Sequence, residues 1–216
     1  MPATYTVWNY KGSDPIGKTA QILFEQRTRP TPLAPLIFMT DRDRTPDIIN
    51  RIKKLPPGAA IIYRHFGADN RYEMAKTLRQ LTFVNQQQLL IGNDPELAIF
   101  CGADGVHFRR DPDLLAPILW RSRCPAWIIS MAGLKGSQAY RGDLSILDGL
   151  LISSVFPSRS PSAGHPLGLK RFTDMCRTLP VPVMALGGID KNNAGLLNES
   201  GAAGLAGVQN FGSARS

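Results

Sequence analysis

The amino-acid sequence predicts an α/β protein, a single (β/α)8 (TIM) barrel with an extra N-terminal helix. Three observations carry that expectation. Short apolar runs recur from Leu36 onward, eight in all. Segments with helix start and stop signals separate them. Polar residues gather just after the runs, where a barrel of this kind keeps its active site. Strands alternating with helices imply a parallel sheet, and runs apolar on both faces suit strands buried on both sides.

Taken in order, residues 1–35 read as an N-terminal extension and residues 36–216 as the barrel domain. Met1 to Gly12 has no clear period. Ile16 to Gln26 sets Ile16, Ala20, Leu23 and Phe24 on one face of a short helix. Pro30, Pro32 and Pro35 forbid a helix across Arg29–Pro35, which reads as a linker. The strand runs are Leu36–Thr40, Ala59–Arg64, Gln88–Ile91, Asp104–His107, Ala126–Ser130, Gly149–Ser153, Pro182–Leu186 and Ala203–Val208.

Between the strands, Thr45-Pro46 predicts an N-cap and a first-turn proline. Ile48, Ile49, Ile52 and Leu55 follow on one face, Lys53 and Lys54 lie near the negative end, and Pro56-Pro57 is the stop. Asn70 to Glu73 resembles a capping box. Asp94-Pro95 and Asp111-Pro112 repeat the cap-then-proline start, although Pro117 delays the second helix. Leu169, Phe172, Cys176 and Leu179 make another apolar face. No room remains for a full helix after the eighth strand, so either the N-terminal helix or a second copy of the chain covers that side.

The chain has 216 residues, of which 43% are hydrophobic and 19% charged. That fits one compact domain. No stretch approaches the roughly 18 apolar residues of a membrane span, and no apolar region follows the start as in a signal peptide. Cys101, Cys124 and Cys176 lie far apart, which argues against a zinc site or a disulfide framework and for a cytoplasmic location. The net charge of +8 favours anionic partners. Basic runs stop at two residues and do not alternate with aromatics, so neither nucleic acid nor membrane is expected as a partner.

The candidate site residues follow the strand runs: Asp41 and Arg42, Arg64 and His65, Asn93 and Asp94, His107 to Asp111, Ser130, Ser154 to Ser160, Gly187 and Gly188, and Gln209. Gly187-Gly188 ends strand seven and starts a helix, the segment Gly204 to Gln209 ends strand eight, and these two loops are the usual phosphate site of such barrels. Arg64, Asn93 and Ser130 are the candidates for catalytic contact. His107, Arg109, Arg110, Ser158, Arg159, Gly187, Gly188, Val208 and Gln209 are candidates for substrate binding. His107 is either a ligand contact or a satisfied core histidine. Asp94 is either a metal ligand or a helix cap. Arg64 either meets ligand or forms a structural ion pair with Asp41 or Asp94. Arg109, Arg110 and Arg159 are either solvated charges or a cradle for an anion.

Several segments together resemble the thiamine phosphate synthases and their TenI-like relatives. They are Phe38-Met39-Thr40-Asp41-Arg42, Ile91-Gly92-Asn93-Asp94-Pro95-Glu96-Leu97-Ala98, Gly102-Ala103-Asp104-Gly105-Val106-His107-Phe108, Val155-Phe156-Pro157-Ser158 with Pro166-Leu167-Gly168-Leu169, and Pro182-Val183-Met184-Ala185-Leu186-Gly187-Gly188-Ile189. The resemblance implies a homodimeric barrel that joins hydroxymethylpyrimidine diphosphate to a thiazole phosphate and releases diphosphate. It also implies magnesium, at Asp94; with Pro112 at the partner aspartate's place, magnesium is expected to bind more weakly than the family pattern implies, with Asp111 or Asp113 as a substitute ligand at best.

The sequence departs from the family pattern at the diphosphate end. Ile62-Tyr63-Arg64-His65-Phe66 keeps the arginine of a Gln-x-Arg-x-Lys motif and puts Phe66 in place of the lysine. Pro112 stands where the resemblance implies a magnesium aspartate, and Pro161 where it implies a second lysine. Ala132 stands near the position of the histidine used by the TenI-like tautomerases. A divergent phosphate-binding barrel without synthase chemistry is therefore the alternative.

Overall fold

The structure, a computed structural model, describes residues 8–133, 139–160 and 164–209. Eight parallel strands close into a barrel in sequence order. They are β1 (Leu36–Met39), β2 (Ala60–Tyr63), β3 (Gln88–Gly92), β4 (Gly105–Phe108), β5 (Ile128–Ala132), β6 (Gly149–Ile152), β7 (Val183–Leu186) and β8 (Gly204–Gly207). Closure is visible at Ile37, which pairs with Ala60 of β2 on one side and Ala206 of β8 on the other.

Alternation along each strand separates two cores. Leu36, Phe38, Ile61, Tyr63, Leu89 and Ile91 pack outward beneath the helices. Ile37, Met39, Ala60, Ile62, Leu90 and Met184 fill the barrel itself. Every one of these residues is buried, which is why the strands read as apolar on both faces. Gly105 has a steric reason: a Cβ there would stand 1.9 Å from the Ile128 carbonyl oxygen, so a side chain would push β4 off β5.

The proline-rich stretch forms the floor of the barrel. Leu33 is buried with the interior residues, and glycine at position 149 leaves room for it, since a Cβ would meet the Leu33 side chain at 2.6 Å. Gln88 holds the stretch from inside, accepting from Ala34 N–H (3.0 Å) and donating to the Pro32 carbonyl (2.7 Å).

Among the described residues six α-helices surround the barrel: α1 (Pro15–Gln26), α2 (Ile48–Lys54), α3 (Arg71–Val84), α4 (Pro95–Cys101), α5 (Leu115–Arg123) and α6 (Leu169–Thr178). Several starts differ from the sequence expectation. Helix α2 begins three residues after Thr45, because the Thr45 hydroxyl is spent on the β1 loop, donating to the Asp41 carbonyl (2.6 Å) and accepting from Asp41 N–H (2.9 Å). The Asn70 side chain does not cap α3. Asp94 does cap α4, accepting from Leu97 N–H at 3.0 Å. Asp111 is not the N-cap of α5: Leu114 turns left-handed (φ 55°) first and the helix begins at Leu115, although the Asp111 carboxylate still accepts from Ala116 N–H in the first turn (3.4 Å). Pro117 then falls in the first turn, where its missing N–H leaves no bond unmade.

Two crossovers carry no α-helix among the described residues. The β5–β6 connection has only a 3-10 turn, Leu144–Ile146, and the β7–β8 connection only Ala194–Leu197. A helix starting directly after Gly188 is the expectation that fails here. The Asp190 carboxylate instead accepts from Asn192 N–H (2.8 Å) and Asn193 N–H (3.2 Å), which bends the chain. Helix α1 packs on the second 3-10 turn and on β8, so the N-terminal helix covers the side that lacks a full helix.

Candidate active site

A cavity of about 830 Å³ opens at the C-terminal ends of the strands. Loops after β1, β2, β4, β6, β7 and β8 line it. Its wall holds Arg42, Arg44, Arg64, Arg110 and Arg159 against Asp41, Asp43 and Asp190: five guanidinium groups and three carboxylates. Such a surplus of positive charge inside a concave wall attracts anions.

Arg64 is aimed by Thr40, the residue after β1. Thr40 Oγ1 accepts from Arg64 N–H (2.9 Å), and the Thr40 carbonyl accepts from Arg64 Nε (3.0 Å). Gly92 makes space for it: a Cβ there would stand 3.0 Å from Arg64 Cγ. Asp41 stands close by. It pairs with Arg44 at 2.7 Å and with Arg64 at 3.9 Å, so the Arg64 ion pair foreseen as one alternative is present. The Arg44 hydrogen bond holds the Asp41 carboxyl below its ordinary value despite partial burial.

The glycine loop after β7 has positive φ at both Gly187 (95°) and Gly188 (71°). Space is as restrictive as conformation. A Cβ on Gly188 would meet the Pro157 carbonyl oxygen at 2.3 Å, and one on Gly187 would meet Ser154 Cα at 2.9 Å. Asn193 fixes the loop by donating to the Gly188 carbonyl (2.8 Å), while its own carbonyl accepts from Asp190 N–H (2.9 Å). Gly187, Gly188, Val208 and Gln209 all border the cavity, beside Ser158 and Ser160. Arg51 of α2 donates to the Gln209 carbonyl (2.9 Å) and tethers the β8 loop.

His107 and Ser130 lie deeper. Ser130 is inside β5, two residues short of its end, rather than at the rim as the predicted run implies. His107 Nδ1 is 3.0 Å from Ser130 Oγ, and both residues are buried. Burial, helped by the nearby Arg64 charge, pushes the His107 pKa down to about 3, so the imidazole is neutral. This pair is satisfied within the protein.

Not all predicted site residues meet in one place. Arg64, Arg110, Ser158, Arg159, Gly187, Gly188, Val208 and Gln209 share the cavity wall, whereas Asn93, Asp94, Arg109 and Asp111 stand outside it. Asn93 adopts a left-handed conformation (φ 49°), donates its N–H to the His107 carbonyl (2.8 Å) and accepts from Arg109 N–H (3.3 Å). Arg110 is held by Nε donating to the Gly133 carbonyl at 2.9 Å. Phe66 reaches the cavity wall; Pro161 lies outside the described residues.

The carboxylates assigned to magnesium do not fit it as they stand. Asp94 spends one oxygen on the α4 cap and the other on an ion pair with Arg71. Asp111 accepts from Asp113 N–H (3.0 Å) and Ala116 N–H (3.4 Å), and Asp113 is clasped by Arg141 (2.5 and 2.6 Å). Among the described residues no group of three or more His, Cys, Asp or Glu side chains is placed to hold a metal ion.

Sequence reasoning missed Arg44 and Arg71. Arg44 closes the alternating run Asp41-Arg42-Asp43-Arg44, a charge pattern directly after a strand. Arg71 is the first residue of α3. A cation there opposes the helix dipole, a local mismatch that signals a tertiary partner.

Comparison with known proteins places this geometry. The family profile described as thiamine monophosphate synthase matches residues 36–211. The thiamine-phosphate synthase of Pyrococcus furiosus is 30% identical over 174 residues, covering 79% of this chain and 83% of that protein. The thiamine-phosphate synthase of Chlorobium limicola is 29% identical over 178 residues, covering 79% and 82%. The solved structure of a thiamine phosphate pyrophosphorylase from Pyrococcus furiosus superposes with a TM-score of 0.65 at 29% identity, over 79% of this chain and 83% of that one. With a profile spanning nearly the whole barrel and a glycine-bordered cavity at the ends of its strands, the chain belongs to the thiamine monophosphate synthase family.

Proposed function

We propose that this chain is a thiamine phosphate synthase-like transferase, joining hydroxymethylpyrimidine diphosphate to thiazole phosphate and releasing diphosphate. The observation that carries this reading is the cavity itself, whose wall combines a glycine loop with several guanidinium groups in a chain of this family. Two phosphorylated substrates need two sets of anion donors, and the wall offers backbone at the glycine loop and guanidinium groups from other loops.

In this reading the backbone at Gly187, Gly188, Val208 and Gln209 receives the thiazole phosphate. Arg64, Arg110 and Arg159 face the diphosphate. The methylene C–O bond breaks with its electron pair leaving on the diphosphate, and the thiazole nitrogen lone pair forms the new C–N bond. No proton has to be moved, so the buried, neutral His107 is not needed as a base. The buried Ser130–His107 pair joins β4 to β5, and Asn93 holds the β3 and β4 loops in register. The protein's contribution is positioning and charge stabilisation. The cytoplasm and a homodimer complete the reading; among the described residues no helix is long and apolar enough to cross a membrane.

Incubation with the two phosphorylated precursors tests it, with thiamine phosphate and diphosphate appearing in equal amounts as the expected result. The alternative, a phosphate-binding barrel without synthase chemistry, draws on the Asp94–Arg71 pair and on Phe66 at the wall. Binding of thiazole phosphate with no product from both precursors would select it.

A further inference from the structure

The carboxylates around the β1, β3 and β4 loops are already committed. Asp41 holds Arg44 and the N–H groups of Asp43 and Arg44, and Asp111 and Asp113 are taken as described above. Of the acidic residues on the cavity wall, Asp190 spends one oxygen on the turn after β7, which leaves Asp43 at the exposed edge of the β1 loop. Two isolated carboxylates are a thin ligand set for a hard divalent cation, which wants several oxygens.

Asp94 is the decisive case. Arg71 reaches it from the first turn of α3, and the Arg71 side chain is only 14% exposed. Its other terminal nitrogen donates to the Gly92 carbonyl (3.3 Å), and its guanidinium lies 5.5 Å from the Phe66 ring centroid. Phe66, which stands where a lysine is expected, thus supports an arginine that neutralises the expected metal ligand. A divalent cation at Asp94 would sit against a fixed guanidinium and compete with it for the same oxygen.

We infer that Arg71 takes the place of the divalent cation at Asp94, and that anion binding in this mouth is metal-independent, its positive charge supplied by Arg64, Arg110 and Arg159. This rests on the synthase reading for the identity of the anion as a diphosphate. Guanidinium groups suit that task because their planar donor forks match phosphate oxygens.

Inorganic diphosphate is the probe, titrated calorimetrically into the full chain once in EDTA and once in excess magnesium. The affinities are expected to agree within about twofold; binding more than about tenfold tighter with magnesium overturns the inference. In Arg71→Met, which frees Asp94, magnesium should tighten binding by about tenfold, while Arg71→Lys should stay metal-independent. A folded Arg71→Met that shows no new magnesium dependence removes Arg71 from its proposed role. Should that variant not fold, the two wild-type titrations decide alone. Metal-free diphosphate binding without product formation leaves the inference standing and rejects the synthase reading; no diphosphate binding in either buffer overturns the inference.

Discussion

The floor and the mouth of this barrel use the same two residue types, arginine and aspartate, to opposite ends. On the floor, Asp104 precedes β4, accepts from Leu89 N–H (2.7 Å) and pairs with Arg79 of α3 (2.8 Å). Asp148 repeats the device before β6, with Ile129 N–H (2.7 Å) and Arg121 of α5 (2.6 Å). Arg121 also donates to the carbonyls of Pro125, Trp127 and Ile146, so its fork is filled. At the mouth, Arg110 and Arg64 each make one guanidinium bond to a carbonyl, Arg64 stands 3.9 Å from the Asp41 carboxylate, and among the described residues no hydrogen bond engages the Arg159 guanidinium. Filled donors lock helices to strands; unfilled donors around a cavity are available to a ligand. The contrast separates residues that hold the barrel from residues proposed to meet a ligand, although their types are identical.

The largest expected effect breaks the floor. Asp148→Ala orphans the Ile129 N–H and strands the Arg121 guanidinium, and should lower unfolding free energy by about 3 kcal/mol in urea denaturation. Diphosphate affinity of the folded protein should be unchanged; a matching loss of affinity would show that floor and mouth are not separable.

His107 sharpens the boundary between the two regions. Its folded-state pKa of about 3 lies below its ordinary 6.5, so below about pH 6.5 the unfolded chain binds a proton that the folded chain excludes. The associated stability is full above pH 6.5 and is lost as pH falls toward 3. The loss should reach about 2 kcal/mol by about pH 5. His107→Asn should flatten that part of the stability profile; an unchanged slope would mean that His107 is accessible to protons in the folded state.

At the mouth, Gly188→Ala should weaken thiazole phosphate binding by about tenfold, or about 1.4 kcal/mol, because the new Cβ displaces the Pro157 carbonyl and the backbone is left-handed. Retained affinity would move the phosphate site elsewhere. Arg159→Ala is the mildest change. It should raise KM for the diphosphate substrate by about fivefold while leaving stability within about 0.5 kcal/mol. Unaltered kinetics would make Arg159 a solvated charge, the blander of its two sequence readings.

Local chemistry alone determined a great deal about this protein. Buried strands must be apolar on both faces, so the eight runs were legible, and the observed strands differ from them by a residue or two at the ends. Asp94-Pro95 is a self-contained cap, and Gly187-Gly188 announces a turn that only glycine tolerates, so both could be read without partners. The Thr45 cap was misread because its hydroxyl bonds back to Asp41, the Asn70 side chain makes no cap bond, and Asp111 reaches the first turn of α5 only from outside it, at Ala116. Only the tertiary structure decided which charges are free. Asp94 and Arg71 are 23 residues apart in sequence, and Arg121 and Asp148 are 27 apart. A charged side chain looks the same in sequence whether it fills a fork or faces a cavity. Its role is set by the partners that folding brings within a few ångströms, and those come from other strands and helices.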